Sequence, residues 1–386
     1  MRIVLNTRSD DAASAAAIVG LGKRLQRAGA DATIGDWSGY ARYDVAVFLG
    51  YDHELERARR EQPRIRVVLA DPKLSRREWI EAARAADLLL VSSVEQREAF
   101  LPVNRNIVVF QMFPPLPERQ PRSRGGGPVI IGYHGNRVHL EAMAETVTPA
   151  LEALARDREI EFRAIYNRSA LGCAELGLPR LPVGKVREVQ WDPVEEPGTG
   201  VSRALLRELA EVDIGVVPSL LPVAGGLRAL LRTAKPDPRL MYEPFDHLLR
   251  FKASTNAGRV FPFARLGIPV VADPTPSNAQ FVRDGETGLL AAGPHGWYEA
   301  LLQLVDDADL AARLGRQLQR EVGEHYEGQV ATVLDALSRP AAGPPLPFEG
   351  PPTPEERLAI AGRFPSPSRP LRRSALNRLA RLVRRA

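Results

Sequence analysis

The chain has 386 residues, of which 44% are hydrophobic and 26% are charged, and this composition excludes both a largely disordered chain and a membrane-spanning bundle. Its net charge of +5 is concentrated at the C-terminal end, where the last eighteen residues carry seven arginines and no acidic residue. The rest of the chain has a net charge of −2. A nearly neutral body argues against nucleic acid as a partner, and a single cysteine, Cys173, excludes a disulfide framework.

The first part of the chain alternates short β-branched runs with helical stretches, which is the order of a parallel sheet covered by helices on both faces. The predicted strands are 2–6, 32–36, 44–50, 66–71, 87–93 and 106–112. Helices are predicted at 12–22 and 75–87, the second with a serine at its start and apolar residues at helical spacing. These elements predict an N-terminal domain over 1–113.

A proline- and glycine-rich stretch, 114–128, follows and predicts a linker between domains. A second alternating set of elements then predicts a second domain over 129–339. Its predicted strands are 128–135, 160–167, 186–191, 212–219 and 268–273, and its last helices are 297–305, 308–322 and 329–337. The predicted fold class is therefore α/β, with two tandem Rossmann-like, doubly wound domains that face each other across a cleft.

The composition changes again after residue 339. Residues 340–370 are rich in proline and predict a linker, and residues 371–386 predict a basic amphipathic helix with leucines on one face and most arginines on the other. Such a helix is typical of proteins that lie on an anionic membrane surface, although a solvated tail or a helix docked on the body would show the same pattern. We therefore expect a cytoplasmic protein that this helix holds at the inner face of the membrane.

The segment 250–273 concentrates polar groups of the kind that bind phosphate, just before an apolar helix at 260–266 and a buried strand. Such groups at a helix start favour an anion, because backbone N–H groups point outward there and the helix dipole is positive. The residues concerned are Lys252, Ser254, Thr255, Asn256 and Arg259. The alternative is that Ser254 and Thr255 cap the helix and that the cations are solvated.

The segments around this cluster resemble the carboxy-terminal half of retaining GT-B glycosyltransferases, in particular glycosyltransferase family four. The similar motifs are GIPVVA at 267–272, DGETGL at 284–289 and LAEVDIGVVPSL at 209–220. The resemblance implies hexosyl or related glycosyl transfer from a nucleotide diphosphate sugar to a glycan or lipid-linked acceptor. It also implies a place in cell-surface polysaccharide or glycoconjugate synthesis, with no cofactor or metal besides the donor.

Some positions depart from that family. Ser254 and Pro262 stand where it usually carries two glutamates eight positions apart. Arg137 lacks the lysine that usually accompanies it after the first strand of the second domain, and Lys252 is expected to compensate. A nucleotide-sugar epimerase or an inverting transferase of the same fold, and a degenerate scaffold without catalysis, therefore stay as alternatives.

Further ligand-binding residues are expected where strands of the second domain end. The turn after its first strand places His134, Asn136 and Arg137 at the cleft, although a tight turn with a hydrogen-bonded histidine is an equal alternative. The residues expected to bind the base end two later strands and are Tyr166, Asn167 and Trp191. The aromatic residues among them would serve equally well in a core.

On the acceptor side, carboxylates follow two strands of the first domain. Asp10 and Asp11 follow the first strand, and Asp71 with Lys73 follows the fourth. A carboxylate there would orient or deprotonate an acceptor hydroxyl, although Asp11 also suits the cap of the helix that follows it. Asp71 is the predicted catalytic residue.

Overall fold

Two parallel sheets organise the part of the chain that the structure describes. The computed structural model describes residues 1–8, 15–73, 76–112, 124–135, 140, 143–167, 178–191, 203–219 and 257–339. Each sheet has six strands, and every strand pair is parallel. All eleven predicted strands are present, and the α/β fold class is confirmed.

The first sheet has the strand order β2-β1-β3-β4-β5-β6. Its strands are β1 (Arg2–Asn6), β2 (Asp31–Ile34), β3 (Val45–Leu49), β4 (Arg66–Ala70), β5 (Leu88–Val91) and β6 (Ile107–Val109). A π-helical turn (Ala15–Gly20) leads into α1 (Leu21–Arg27), and α2 (Leu55–Glu61), α3 (Arg77–Ala85) and α4 (Val94–Phe100) follow. The chain runs outward in opposite directions from β1 and β3, so the switch point of this sheet lies between those two strands.

The second sheet has the strand order β12-β11-β10-β7-β8-β9. Its strands are β7 (Val129–Gly135), β8 (Ile160–Asn167), β9 (Val186–Trp191), β10 (Ile214–Val217), β11 (Val270–Ala272) and β12 (Leu289–Leu290). Its helices are a 3₁₀ turn (Met143–Glu145), α5 (Val147–Leu154), α6 (Arg203–Leu209), α7 (Val260–Arg265), α8 (Pro276–Ala279), α9 (Pro294–Asp306) and α10 (Ala308–Ser338). This is the Rossmann order, and its switch point lies between β7 and β10.

Each sheet is covered by an apolar core on both faces. In β3, Val45, Val47 and Leu49 pack into one core of the first sheet, and Ala46 and Phe48 pack into the other. Successive side chains of a strand point to opposite faces, so a strand that is buried on both sides has to be apolar throughout. This explains why the central strands are continuous apolar runs.

The last helix, α10, corrects one expectation from the sequence. It is one continuous helix of 31 residues, whereas the sequence predicts separate helices at 308–322 and 329–337. Its first half packs into the cores of the second sheet through Leu314 and Leu318. Its last turns pack into a core of the first sheet through Val330, Val333 and Leu337, so residues assigned to the second domain also serve the first.

Polar contacts also tie α10 to the first sheet. Arg24 of α1 is buried, donates to the carbonyl oxygen of Tyr326, and lies 3.9 Å above the ring of that tyrosine. Just after β6, the side-chain oxygen of Gln111 lies 3.1 Å from Nε2 of His325 in α10. None of the helices in the described part of the chain combines the length and the apolar composition needed to cross a bilayer.

Candidate functional site

The candidate site lies at the switch point of the second sheet, where β7 and β10 end side by side. Loops at this edge bind ligands in doubly wound folds, because the chain leaves the two strands in opposite directions and opens a crevice. Tyr133, His134 and Gly135 close β7, and Pro218 with Ser219 follows β10. Arg259, which directly precedes α7, connects the two strand ends.

The guanidinium of Arg259 bridges the crevice. It donates from Nη1 to the carbonyl oxygen of Pro218 and from Nη2 to the Ser219 hydroxyl over 3.2 Å. It also donates to the hydroxyl of the fully buried Tyr133 in β7. Burial lowers the pKa of Arg259, but an arginine starts so high that it stays a cation at neutral pH. The structure therefore places a fixed positive charge at the switch point.

His134 takes the hydrogen-bonded role that the sequence left open as an alternative. It is 5% exposed, its ring packs edge-on against Phe263 at 4.9 Å between centroids, and Nε2 lies 2.9 Å from the carbonyl oxygen of Arg259. Because a carbonyl oxygen only accepts, Nε2 carries the proton and donates. Burial lowers the pKa of His134 to about 4, so the ring is neutral and holds the backbone of Arg259.

Gly135 shows why the chain turns so tightly at the end of β7. Its φ of +137° is a conformation that glycine adopts and other residues avoid. A Cβ atom at this position would lie 2.8 Å from Cδ of Arg259 and 3.2 Å from the Tyr133 hydroxyl. The glycine thus allows Arg259 to lie directly against the backbone at the strand end.

Two buried polar residues that the sequence analysis did not select complete this site. The amide of Asn278 in α8 donates to the Ser219 hydroxyl over 3.0 Å and to the carbonyl oxygen of Asp273 over 2.9 Å. The backbone N–H of Ser219 donates to Oδ2 of Asp273 over 2.6 Å. Ser219 and Asn278 are 59 positions apart in sequence, so no local pattern indicates their contact.

Several predicted residues lie outside the described part of the chain or have side chains that it does not include. The predicted donor-site and acceptor-side residues outside it are Lys252, Ser254, Thr255, Asn256, Asn136, Arg137, Asp10 and Asp11. Asn167 and Trp191 are described only as strand ends, as the sequence predicts. The linker 340–370 and the helix 371–386 also lie outside.

Tyr166 has a core position. Its ring is fully buried in a core of the second sheet, and its hydroxyl donates to Oε2 of Glu188 in β9. A ring that is packed on both faces offers no surface on which a base can stack. The structure thus gives Tyr166 the core role that the sequence left open as an alternative to base binding.

On the first sheet, Asp71 and Lys73 lie directly after β4 and form an ion pair. The Lys73 ammonium lies 2.6 Å from Oδ2 of Asp71, whose side chain is 5% exposed. Asp71 also has a positive φ of 49°, which is uncommon for a residue other than glycine and is tolerated best by aspartate and asparagine. Such backbone conformations cluster at functional sites, so Asp71 stays the strongest acceptor-side candidate.

Asp52 is a further acidic residue at the carboxyl edge of the first sheet, and the sequence analysis did not select it. It follows β3 and accepts a hydrogen bond from the Thr7 hydroxyl over 3.1 Å and another from the backbone N–H of Arg8. Thr7 and Arg8 follow β1, so Asp52 connects the two strands that flank the switch point of the first sheet. The sequence does contain a signal that could have identified Asp52, namely an acidic residue after a buried strand. The same signal identified Asp71.

The edges that carry these two sets of residues meet. Glu95 lies in the first turn of α4, just after β5, and its Oε1 accepts from the backbone N–H of Ser277, which follows β11, over 3.0 Å. Both residues lie where loops leave the carboxyl ends of strands. The carboxyl edges of the two sheets are therefore in direct contact at this point.

Comparison with known proteins identifies the fold. No protein-family model and no curated protein matches the sequence. Among solved structures, TarM of S. aureus in complex with fondaparinux, alpha-GlcNAc-glycerol and UDP is 14% identical, with a TM-score of 0.52 over 76% of this chain and 55% of that chain. The present chain thus spans about half of the TarM chain.

Two other structures match over nearly their whole length. Anabaena HepE in complex with UDP and glucose is 12% identical, with a TM-score of 0.51 over 87% of this chain and 99% of that chain. A glycosyltransferase from Rickettsia africae is 11% identical, with a TM-score of 0.52 over 87% of this chain and 97% of that chain. With two parallel sheets whose carboxyl edges face each other, the chain has the GT-B fold of these structures.

Proposed function

We propose that the chain is a glycosyltransferase that moves a sugar from a nucleotide diphosphate sugar to a glycan or lipid-linked acceptor in polysaccharide or glycoconjugate synthesis. The observation that carries this proposal is the arginine held at the switch point of a GT-B fold. Solved structures of that fold contain UDP and glucose in HepE, and UDP in TarM. A diphosphate is the ligand that a fixed guanidinium at such a crevice suits best.

The proposed reaction follows from the chemistry of the two edges. The acceptor oxygen forms a bond with the anomeric carbon of the donor sugar while the bond from that carbon to the diphosphate breaks. Asp71 accepts or directs the proton that leaves the acceptor hydroxyl. Arg259, together with Lys252 as predicted from the sequence, stabilises the negative charge that develops on the leaving diphosphate, in the role that a metal ion has in other transferases.

The first experiment tests binding of the donor. The purified full chain would be titrated with UDP, GDP, ADP and TDP in a calorimeter, with Arg259→Ala beside it. We expect one nucleoside diphosphate to bind and Arg259→Ala to weaken that binding about tenfold or more, since a charge-assisted hydrogen bond contributes about 1.5 to 3 kcal/mol. Arg313→Ala, which removes an exposed arginine of α10, serves as the control and should bind normally.

Two results would contradict the proposal. If none of the four nucleoside diphosphates binds, the chain is a scaffold of the same fold without donor chemistry. If one binds but its nucleotide sugar is only epimerised or hydrolysed in the presence of glycan and lipid-linked acceptors, the epimerase alternative is correct.

The second experiment tests the proposed role of Asp71. Asp71→Asn keeps a side chain that tolerates the positive φ but removes the carboxylate, so the fold should persist. We expect kcat to fall by about 100-fold or more while the affinity for the donor nucleotide is unchanged, since general base catalysis contributes about 10² to 10⁴. An Asp71→Asn variant with unchanged kcat would remove this residue from the mechanism.

We also propose that residues 371–386 bring the enzyme to the inner face of the membrane, near lipid-linked acceptors. The proposal rests on the leucine and arginine faces of that segment. The full chain should sediment with vesicles that contain anionic lipid and should be released by salt, whereas a chain that ends at residue 345 should stay in the supernatant. Equal sedimentation of both chains would contradict this role.

A further inference from the structure

A network of buried hydrogen bonds fixes the position of Arg259 from behind. Its central atom is the hydroxyl oxygen of Ser219, which accepts from Nη2 of Arg259 over 3.2 Å and from the amide of Asn278 over 3.0 Å. Ser219 is fully buried and Asn278 is 1% exposed. Neither residue can exchange these partners for water without a change in the structure.

The orientation of Asn278 is fixed as well. Its amide nitrogen donates to the carbonyl oxygen of Asp273 over 2.9 Å, and its backbone N–H donates to the Thr275 hydroxyl over 3.2 Å. The Thr275 hydroxyl thereby caps α8. The side-chain amide nitrogen of Asn278 thus has two defined acceptors, the Ser219 hydroxyl and the Asp273 carbonyl oxygen, and rotation of the side chain would break both hydrogen bonds. The side chain therefore holds the Ser219 hydroxyl oxygen in one place.

The same network holds the backbone of Ser219. Its N–H donates to Oδ2 of Asp273 over 2.6 Å, which joins the chain just after β10 to the chain just after β11. A guanidinium has several rotamers of similar energy, and ordering it costs conformational entropy when a ligand binds. A fixed acceptor at Nη2 removes that cost, because the cation is already in position before the ligand arrives.

We propose that Ser219 and Asn278 are positioning residues that hold the Arg259 guanidinium ready for the diphosphate of the donor. This inference rests on the proposed function, since it requires Arg259 to bind a diphosphate. Ser219 and Asn278 act through Arg259. They therefore raise the affinity for a nucleoside diphosphate and do not affect the affinity for the nucleoside alone.

The experiment compares two probes, namely the nucleoside diphosphate that binds the protein and the corresponding nucleoside without phosphates. Ser219→Ala removes only the hydroxyl and should weaken binding of the diphosphate about tenfold, while the affinity for the nucleoside stays the same. Asn278→Ala should act in the same direction and provides a second variant if Ser219→Ala does not fold. Both affinities are measured by calorimetry, and the melting temperature of each variant is measured separately.

A double-mutant cycle separates positioning from a general loss of structure. In the Arg259→Ala background, Ser219→Ala should cause no further loss of diphosphate affinity, because there is no guanidinium left to position. Ser92→Ala removes a comparably buried serine hydroxyl in the first domain, where it donates to Gln96 over 2.8 Å. This control should lower the melting temperature and leave both affinities unchanged.

The outcomes distinguish this inference from the proposed function. If the unaltered protein binds no nucleoside diphosphate, both are overturned. If it binds one and Ser219→Ala weakens the diphosphate and the nucleoside equally, or weakens the diphosphate just as much without Arg259, only the positioning role is overturned. A loss that is specific to the diphosphate and dependent on Arg259 supports it.

Discussion

At the end of β7, the charge state of His134 follows from its surroundings. The ring is buried against Phe263 and donates to the carbonyl oxygen of Arg259, and the guanidinium of Arg259 lies close by. Burial is the main cause of its lowered pKa, and the positive charge of Arg259 lowers it further. A neutral ring here supports the arginine, whereas a charged ring would repel it.

This position predicts how stability depends on pH. The pKa of His134 is about 4 in the folded protein and about 6.5 in the unfolded chain, so the unfolded chain binds more protons between these values. The free energy of unfolding should therefore be greatest above pH 6.5 and decrease by up to about 3 kcal/mol as the pH falls toward 4. Urea unfolding of the parent protein and of His134→Gln at pH 7.5 and pH 5 measures this effect.

Glutamine is chosen because its amide can still donate to the carbonyl oxygen of Arg259 but does not titrate. The variant should lose less stability than the parent protein between the two pH values. Some pH dependence should remain, since burial also lowers the pKa of His325. Identical losses in the two proteins would show that His134 does not control this transition.

At the scale of elements, α10 lies very close to the backbone just before β11, at the start of the GIPVVA motif. A Cβ atom at Gly315 would lie 2.2 Å from the carbonyl oxygen of Gly267. Only a residue without a side chain allows the helix to approach that backbone so closely. Gly323 lies in the same helix and has no neighbouring atom within 4 Å of the corresponding position.

These two glycines give a matched pair of predictions. Gly315→Ala should lower the free energy of unfolding by about 1 to 3 kcal/mol, because the helix has to move away from Gly267. Gly323→Ala should raise it by up to about 1 kcal/mol, because alanine favours a helix more than glycine does. Thermal or urea unfolding of both variants measures the difference, and a stable Gly315→Ala protein would contradict the close approach.

The elements of the sheets were predictable because a strand that is covered on both faces has a clear sequence pattern. The strand β3 is apolar throughout, and β4 is apolar after Arg66. The predicted bounds of these two strands differ from the observed bounds by no more than one residue at each end. The strand β12 has only two residues and leaves no pattern to recognise. The predicted break in α10 was wrong. The polar residues 323–328, with a glycine at each end, resemble a turn in the sequence, but in the structure they continue the helix, and Tyr326 contacts Arg24.

The candidate site was only partly predictable for a related reason. The sequence analysis selected Arg259 and His134 because each of them adjoins a recognisable element, a helix start or a strand end. Ser219 and Asn278 were missed because their roles depend on hydrogen bonds between residues 40 and 59 positions apart. Sequence patterns report what lies near in the chain, and this network is formed by what lies near in space.

At the scale of the whole molecule, α10 connects the two sheets. Leu337 is 3% exposed and Val333 is 1% exposed, and both pack into a core of the first sheet, although the same helix begins on the second. Arg66 of β4 also donates to the carbonyl oxygen of Leu337. The first sheet therefore depends on residues from the far end of the described chain.

This dependence can be measured with one core residue and one surface residue of the same helix. Leu337→Ala should lower the free energy of unfolding by about 2 kcal/mol or more, because it leaves a cavity in the core of the first sheet. Thr332→Ala changes an exposed residue and should stay within about 0.5 kcal/mol of the parent protein. Hydrogen exchange would show where the loss occurs, and faster exchange in β4 and β5 only for Leu337→Ala is the expected result.

We expect the shared helix to affect the order in which the protein folds during synthesis. The ribosome makes the first sheet before the second, but one core of that sheet stays incomplete until Val330, Val333 and Leu337 have emerged. Domains usually fold in the order in which they are made, and here the N-terminal one has to wait for almost the whole chain. During that interval the nascent protein exposes an apolar face, which we expect to be its main binding surface for chaperones.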